Sequence, residues 1–254
     1  GATSELSGLA PGGFIGVSVF FTLSGFLVTG LLLRRRADPA TASLGQFWVR
    51  RIKRLAPASL VVVLATVCLA PWLWSGMQAS DALAGTFGYT NWHVIWSGQD
   101  ALLRTIVGPL GPYWSLAVEE QFYLVISIAV AFAWRTRRPI RALGAFVAIG
   151  WCVSAGTQLL ANWPNYRLEF GTEVRAGELL AGAGLATWMH LRPNLAQQLG
   201  SRLAPIGVLA LAIIVGIAAT TDYDPPWLLR GGYAGLSLLN AALVLSLLGG
   251  GTLT

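Results

Sequence analysis

Two neighbouring glutamates, Glu119 and Glu120, stand inside an apolar stretch, Tyr113-Trp114-Ser115-Leu116-Ala117-Val118-Glu119-Glu120-Gln121-Phe122-Tyr123. At about 100° per residue, Tyr113, Ser115, Glu119, Glu120 and Tyr123 fall on one side of a helix. A carboxylate at bilayer depth is costly unless paired or hydrated, so such a polar face signals function. Its plainer alternative is a hydrated helix end held by structural hydrogen bonds. Adjacent carboxylates crowd their negative charge, which calls for a compensating cation or a retained proton.

A second cluster follows in Tyr166-Arg167-Leu168-Glu169-Phe170-Gly171-Thr172-Glu173-Val174-Arg175-Ala176-Gly177-Glu178. Thr172, Arg175 and Glu178 are spaced by three and stack on one helix face. Arg175 pairs either with Glu178 or with the carboxylates of the first cluster. Gly177, Ala181, Gly182 and Gly184 allow close helix packing. A third segment, Gln46-Phe47-Trp48-Val49-Arg50-Arg51-Ile52-Lys53-Arg54-Leu55-Ala56-Pro57, interleaves basic with apolar residues. As a helix it is expected to lie along the inner membrane surface, against lipid headgroups or a phosphate-rich cytosolic ligand. Arg51 and Arg54 are one turn apart and suit a diphosphate, which guanidinium groups grip with paired, charge-assisted bonds.

Other chemistries find little support. His93 and His190 have no second His or Cys at ligand spacing, so no metal site is expected. There is no Gly-rich phosphate loop and no Gly-x-Ser-x-Gly elbow. The net charge of +6 rests on 17 basic residues in short blocks between apolar runs, which is no basic face for nucleic acid. Cys68 and Cys152 fall in apolar runs and read as small buried hydrophobes.

The elements that must position these groups are membrane helices. Of 254 residues, 55% are apolar and only 11% charged, under half the charge of a soluble domain. That excludes a secreted enzyme, a soluble nucleotide-binding domain and a disordered scaffold. Seven apolar runs are expected to be helices: Gly13 to Leu33, Leu55 to Trp74, Tyr113 to Trp134, Ile140 to Leu160, Val174 to Leu191, Pro205 to Thr220 and Gly232 to Leu248. The fold class is therefore all-α, a polytopic bundle of about seven spans. Turn-formers such as Asp222-Tyr223-Asp224-Pro225-Pro226 separate them.

Loop charge orients the bundle. Arg34, Arg35, Arg36, Arg50, Arg51, Lys53, Arg54, Arg135, Arg137, Arg138, Arg141, Arg192 and Arg202 fall on one side. Only Arg104, Arg167, Arg175 and Arg230 fall on the other. The basic side is expected to face the cytoplasm. Trp72, Trp74, Trp92, Trp96, Trp134, Trp151, Trp163, Trp188 and Trp227 lie near span ends or in loops, as an interfacial aromatic belt does.

Taken in order, the segments resemble the bacterial acyltransferase-3 family, multi-span enzymes that O-acylate envelope polysaccharides, lipids and some secondary metabolites. Gly12 to Leu27 looks like its first motif, and Phe47 to Pro57 like its basic loop. Tyr89-Thr90-Asn91-Trp92 resembles its outer-loop element. Trp114 to Leu124 is similar to its Trp-Ser-Leu-x-x-Glu-Glu-Gln-Phe-Tyr-Leu signature. Gly171-Thr172 with Arg175 and Glu178 fits a later element.

The resemblance implies a single membrane-embedded domain over residues 1–254 in the inner membrane, transferring an acyl group, with acetyl expected, to a hydroxyl. Acyl-CoA would be the co-substrate, with no bound cofactor, and its phosphates would meet Arg51 and Arg54. Glu119 and Glu120 would orient the base or the sugar hydroxyl. Trp114, Ser115, Tyr123, Arg175 and Glu178 would shape the side facing a glycan or lipid-linked acceptor. The family's catalytic His belongs to an earlier span, and neither His93 nor His190 occupies its place, so the chain is expected to be a fragment. Ser18 also stands where many members carry Asp. The rival reading is a non-enzymatic transporter or flippase, which also places acids and an Arg at membrane depth.

Overall fold

In lipid, an apolar run must satisfy its backbone groups internally, and a helix does so within one segment. The computed structural model describes residues 12–37, 43–73, 76–97, 108–194, 198, 203–221 and 225–248. Its helices are α1 (Ile15–Ala37), α2 (Leu44–Leu73), α3 (Ala79–Thr86), α4 (90–97), α5 (Tyr113–Ala133), α6 (Pro139–Leu160), α7 (Asn165–Phe170), α8 (Thr172–Leu191), α9 (Ala204–Thr220) and α10 (Tyr233–Leu248). A π-helical turn, Leu228–Gly232, leads into α10. No strand occurs among the described residues.

Apart from a residue or two at their ends, the described residues of all seven apolar runs are helical. Five stretches are long and apolar enough to cross a membrane, namely α1, α2, α5, α6 and 228–248. The shortfall against about seven has a reason in each remaining helix. α9 has 17 residues, and α8 carries Glu173, Arg175 and Glu178 in its first two turns. The chain is a multi-pass membrane protein, all-α in class.

Prolines set two helix starts. Pro139 and Pro205 occupy the first turns of α6 and α9, where the missing N–H has no partner to lose. In α2 they do the opposite of what the sequence suggests. The basic segment reads as a surface helix of its own, set before a span starting at Leu55. Instead α2 is one helix of 30 residues that runs through Pro57 and Pro71.

α1, α5 and α8 run in the same direction. Phe21 meets Trp114, and Ser24 meets Tyr123. Gly25 lies on the backbone of Leu179 and Gly182 on that of Thr22, so α1 and α8 touch main chain to main chain. One apolar core, including Phe21, Val118, Phe122, Ile126, Val147 and Leu179, fills the space among α1, α5, α6 and α8. A second, including Ile15, Ile214, Leu229, Tyr233 and Leu236, joins α1 to α9 and α10. α2 stands apart, with only Phe47, Val63 and Thr66 buried.

The outer surface is as apolar as the interior: Leu64, Ile149, Val208 and Leu247 are all exposed. This corrects the reading of the cysteines. Cys68 and Cys152 are exposed and unpaired, because a bundle surrounded by lipid needs apolar residues on both faces of a helix. Arg34 to Arg36, Arg135 to Arg141 and Arg192 gather at one end of the bundle, Arg167 and Arg230 at the other. Trp74, Arg104, Arg202 and the Asp222 to Asp224 turn lie outside the described residues.

Candidate functional site

α2 runs antiparallel to α5 and is tied to it at two levels. Trp48 Nε1 donates to Ser127 Oγ at 3.4 Å, and Tyr113 Oη donates to the Ser59 carbonyl at 2.9 Å. Between these ties the helices part around a cavity of about 280 Å³, lined by Trp48, Arg51 and Ser59 of α2, Gly85 and Gly88 near the end of α3, and Tyr113 and Glu120 of α5. The Arg51 guanidinium lies 3.5 Å from the Tyr123 ring centroid, about halfway along α5. Its charge acts on both Glu119 and Glu120.

The acidic pair is split between two environments. Glu120 borders the cavity, half-buried. Glu119 turns inward and is 3% exposed, beside the hydroxyls of Ser24 and Tyr123. These two hydroxyls also hydrogen-bond each other. Tyr123 thus carries Arg51 on its face and reaches α1 through its hydroxyl. Ser115 bonds back to the Pro112 carbonyl at 2.9 Å and does not line the cavity. Arg54 is exposed one turn beyond Arg51 and does not line it either.

Gly88 closes the cavity from the α3–α4 turn. Its φ of +67° is a left-handed conformation that favours glycine. A Cβ there would lie 2.7 Å from Glu120 Oε2. The turn is held by a compact polar knot. Gln121 Nε2 donates to the Gly88 carbonyl at 3.1 Å and to Asn91 Oδ1 at 3.0 Å. Its Oε1 accepts from Trp92 Nε1 at 3.1 Å and from Thr172 Oγ1. Asn91 Nδ2 in turn donates to Thr172 Oγ1 at 2.9 Å and the Phe170 carbonyl at 3.1 Å. Every polar atom of both side amides is used, which makes the knot rigid.

The second cluster is fully buried and separate. Arg175 Nε lies 3.2 Å from Glu178 Oε2, and its Nη1 is 3.9 Å from Glu169 Oε2. Tyr233 donates to the same Glu169 oxygen at 2.5 Å. The guanidinium rests on the Tyr233 ring at 3.7 Å and against Trp114 and Phe21. Of the two partners open to Arg175 in the sequence, the structure therefore gives it Glu178. Trp114, Arg175 and Glu178 form one packed unit at the junction of α1, α5, α8 and α10, outside the cavity.

The sequence leads one to expect the basic segment on the inner membrane surface, away from the acids. The structure brings Arg51 to Glu120 across one cavity. Ser24, Gly88, Asn91, Gln121 and Thr172 complete the site, and the sequence alone gives none of them a part in this cavity. An amide or hydroxyl in an otherwise apolar run is the signal that could have found most of them. His93 serves the frame: its Nε2 is 2.8 Å from Asp81 Oδ1, which pins α4 to α3. No group of three or more His, Cys, Asp or Glu residues fit to hold a metal occurs among the described residues.

Chemically, the cavity pairs a fixed cation with a carboxylate. Arg51 can hold an anionic or developing oxyanion group, and Glu120 can accept or orient a hydroxyl proton.

A family model described as "Acyltransferase domain" matches residues 3–252. The O-acetyltransferase OatA of Staphylococcus aureus (strain NCTC 8325 / PS 47) is 32% identical over 232 residues, covering 87% of this chain and 38% of that protein. The peptidoglycan O-acetyltransferase OatA of Listeria monocytogenes serovar 1/2a is 32% identical over 248 residues, 92% of this chain and 39% of that protein. The chain thus spans about two fifths of the length of these relatives. No solved structure matches it.

Proposed function

The chain belongs to the acyltransferase-domain family, and on that premise we propose that it forms the membrane part of an O-acetyltransferase acting on a cell-envelope glycan. One observation carries the reading: Arg51 and Glu120 face a single cavity at mid-span. Acyl transfer to a hydroxyl needs a cation where negative charge gathers on the carbonyl and a carboxylate where the hydroxyl proton leaves. The names of the relatives point to acetyl as the group and to peptidoglycan as the type of acceptor.

In this scheme acyl-CoA enters from the basic end, which faces the cytosol of a bacterial inner membrane by the distribution of loop arginines. Arg51 meets the donor from within the cavity. Glu120 orients the acceptor hydroxyl. Glu119, held by Ser24 and Tyr123, keeps the Arg51 side chain in place through charge. The hydroxyl oxygen forms the new ester bond as the thioester C–S bond breaks, and the hydroxyl proton ends on the departing thiol. The family resemblance assigns the base that carries this proton to a histidine of an earlier span. Arg175 and Glu178 act at a distance, by fixing Trp114 and the start of α5.

The test is the mass of the envelope glycan from cells with and without the gene. The expected result is a loss of about one acetyl group per modified sugar in the deletion, restored by the intact gene. Equal acetylation in both strains would overturn the reading.

A further inference from the structure

At the end of the bundle opposite the arginine-rich turns, two indoles converge on one guanidinium and a third packs beside them. Trp92 and Trp96 stand one turn apart on α4, their ring centroids 5.8 Å apart and 36° tilted. Trp163, in the turn between α6 and α7, comes from a distant part of the chain. Arg167 of α7 lies 4.7 Å over Trp92 and 4.7 Å over Trp163. Its guanidinium also pairs with Glu173 of α8.

An interfacial belt explains tryptophans that stand singly around the circumference of a bundle. It does not explain two held about one cation with a third packed against one of them. Here cation–π contact fixes two rings, and a hydrogen bond from Trp92 Nε1 to Gln121 fixes the rotation of the Trp92 indole. Yet Trp96 is 72% exposed and Trp163 37%. The result is a rigid aromatic surface left open, edged by a guanidinium and a carboxylate.

We propose that Trp92, Trp96 and Trp163, with Arg167 and Glu173 at their edge, form the docking platform for the glycan acceptor. The platform rests on the acyl-transfer reading for its class of ligand. A pyranose ring has one face of axial C–H groups, which is apolar and weakly positive, and an indole face is electron-rich and flat. Successive sugars therefore stack on rigid indoles at little cost in ordering. Arg167 and Glu173 supply a donor and an acceptor for the hydroxyl and amide groups at the ring edges. A rigid platform also suits a long repeating ligand, since nothing must be reorganised as the chain slides from one sugar to the next.

The platform is wired to the cavity. Trp92 bonds to Gln121, Gln121 bonds to the Gly88 carbonyl, and Gly88 lies against Glu120. A sugar stacked on Trp92 is therefore registered against the carboxylate that orients its hydroxyl.

The experiment uses the full-length protein in nanodiscs and a soluble N-acetylglucosamine tetramer, read by quenching of tryptophan fluorescence. A saturable change is expected, weakened at least tenfold in Trp96→Ala and in Trp163→Ala. Soluble glycerol phosphate, which mimics a lipid headgroup, is expected not to compete. In the acetyl-transfer assay the same variants should raise KM for the glycan at least tenfold and leave kcat within a factor of two. Tight oligosaccharide binding without any acetyl transfer would leave the platform standing and remove the proposed reaction. Unchanged binding and KM in both variants, or competition by glycerol phosphate alone, would overturn the platform.

Discussion

Replacing Gly88 by alanine tests the cavity from a position that carries no functional group. Two effects add. At a φ of +67° an L-residue with a Cβ costs about 1–2 kcal/mol. The new Cβ would also lie 2.7 Å from Glu120 Oε2, against ordinary contact at 3.4 Å or more. The carboxylate must therefore retreat by about 0.7 Å, or the turn must shift away from α5 and strain the Gln121 bond to the Gly88 carbonyl. A displacement of this order at a reacting centre costs on the order of a hundredfold in rate. Gly88→Ala should thus lower the thermal midpoint modestly and acetyl transfer severely. The assay is acetyl transfer by full-length protein in proteoliposomes, with thermal unfolding measured on the same sample. Gly88→Ala with Glu120→Ala should be no slower than Glu120→Ala alone, because the clash acts through that carboxylate. A Gly88→Ala protein with full activity would refute the placement of Glu120 against this turn, as would a double variant that shows independent losses.

Further expectations concern the frame. Gly25→Ala and Gly182→Ala push apart two helices that touch through their backbones and should each cost about 1–3 kcal/mol or more in thermal unfolding, whereas Gly16→Ala, which meets nothing within 4 Å, should be neutral or stabilising by up to about 1 kcal/mol. Arg175→Met leaves Glu178 and Glu169 buried without their cation and should destabilise by about 3–5 kcal/mol. Adding Glu178→Gln should recover part of that loss, which a melting series on the two proteins measures.

The helical frame is legible because lipid leaves an apolar run one conformation, and the run boundaries agree with α1, α5, α6 and α10 to within a few residues. The start of α2 is not, because Pro57 and a basic segment both read as a boundary, while the helix tolerates the missing N–H and continues. For the same reason the depth of Arg51 is hidden. A run of Arg and Lys reads as surface, and it takes the pairing of Trp48 with Ser127 and Tyr113 with Ser59, and the seat of Arg51 on the Tyr123 ring, to show that Arg51 sits halfway along α5. The acidic pair is visible as a polar face. Its division is not, because helical periodicity gives a direction and cannot tell that α1 lies against Glu119 and α2 against Glu120. Gly88 and Gln121 act through backbone contacts that no spacing rule encodes.

The role of Glu120 is tested most directly by acetyl transfer from labelled acetyl-CoA to a glycan acceptor by full-length protein with Glu120→Gln, a change that keeps shape and removes charge. The expected result is a loss of at least about a hundredfold in rate, with the thermal midpoint and helical content unchanged. Transfer within a factor of two of the unaltered protein would contradict the assignment of this carboxylate to the reacting hydroxyl.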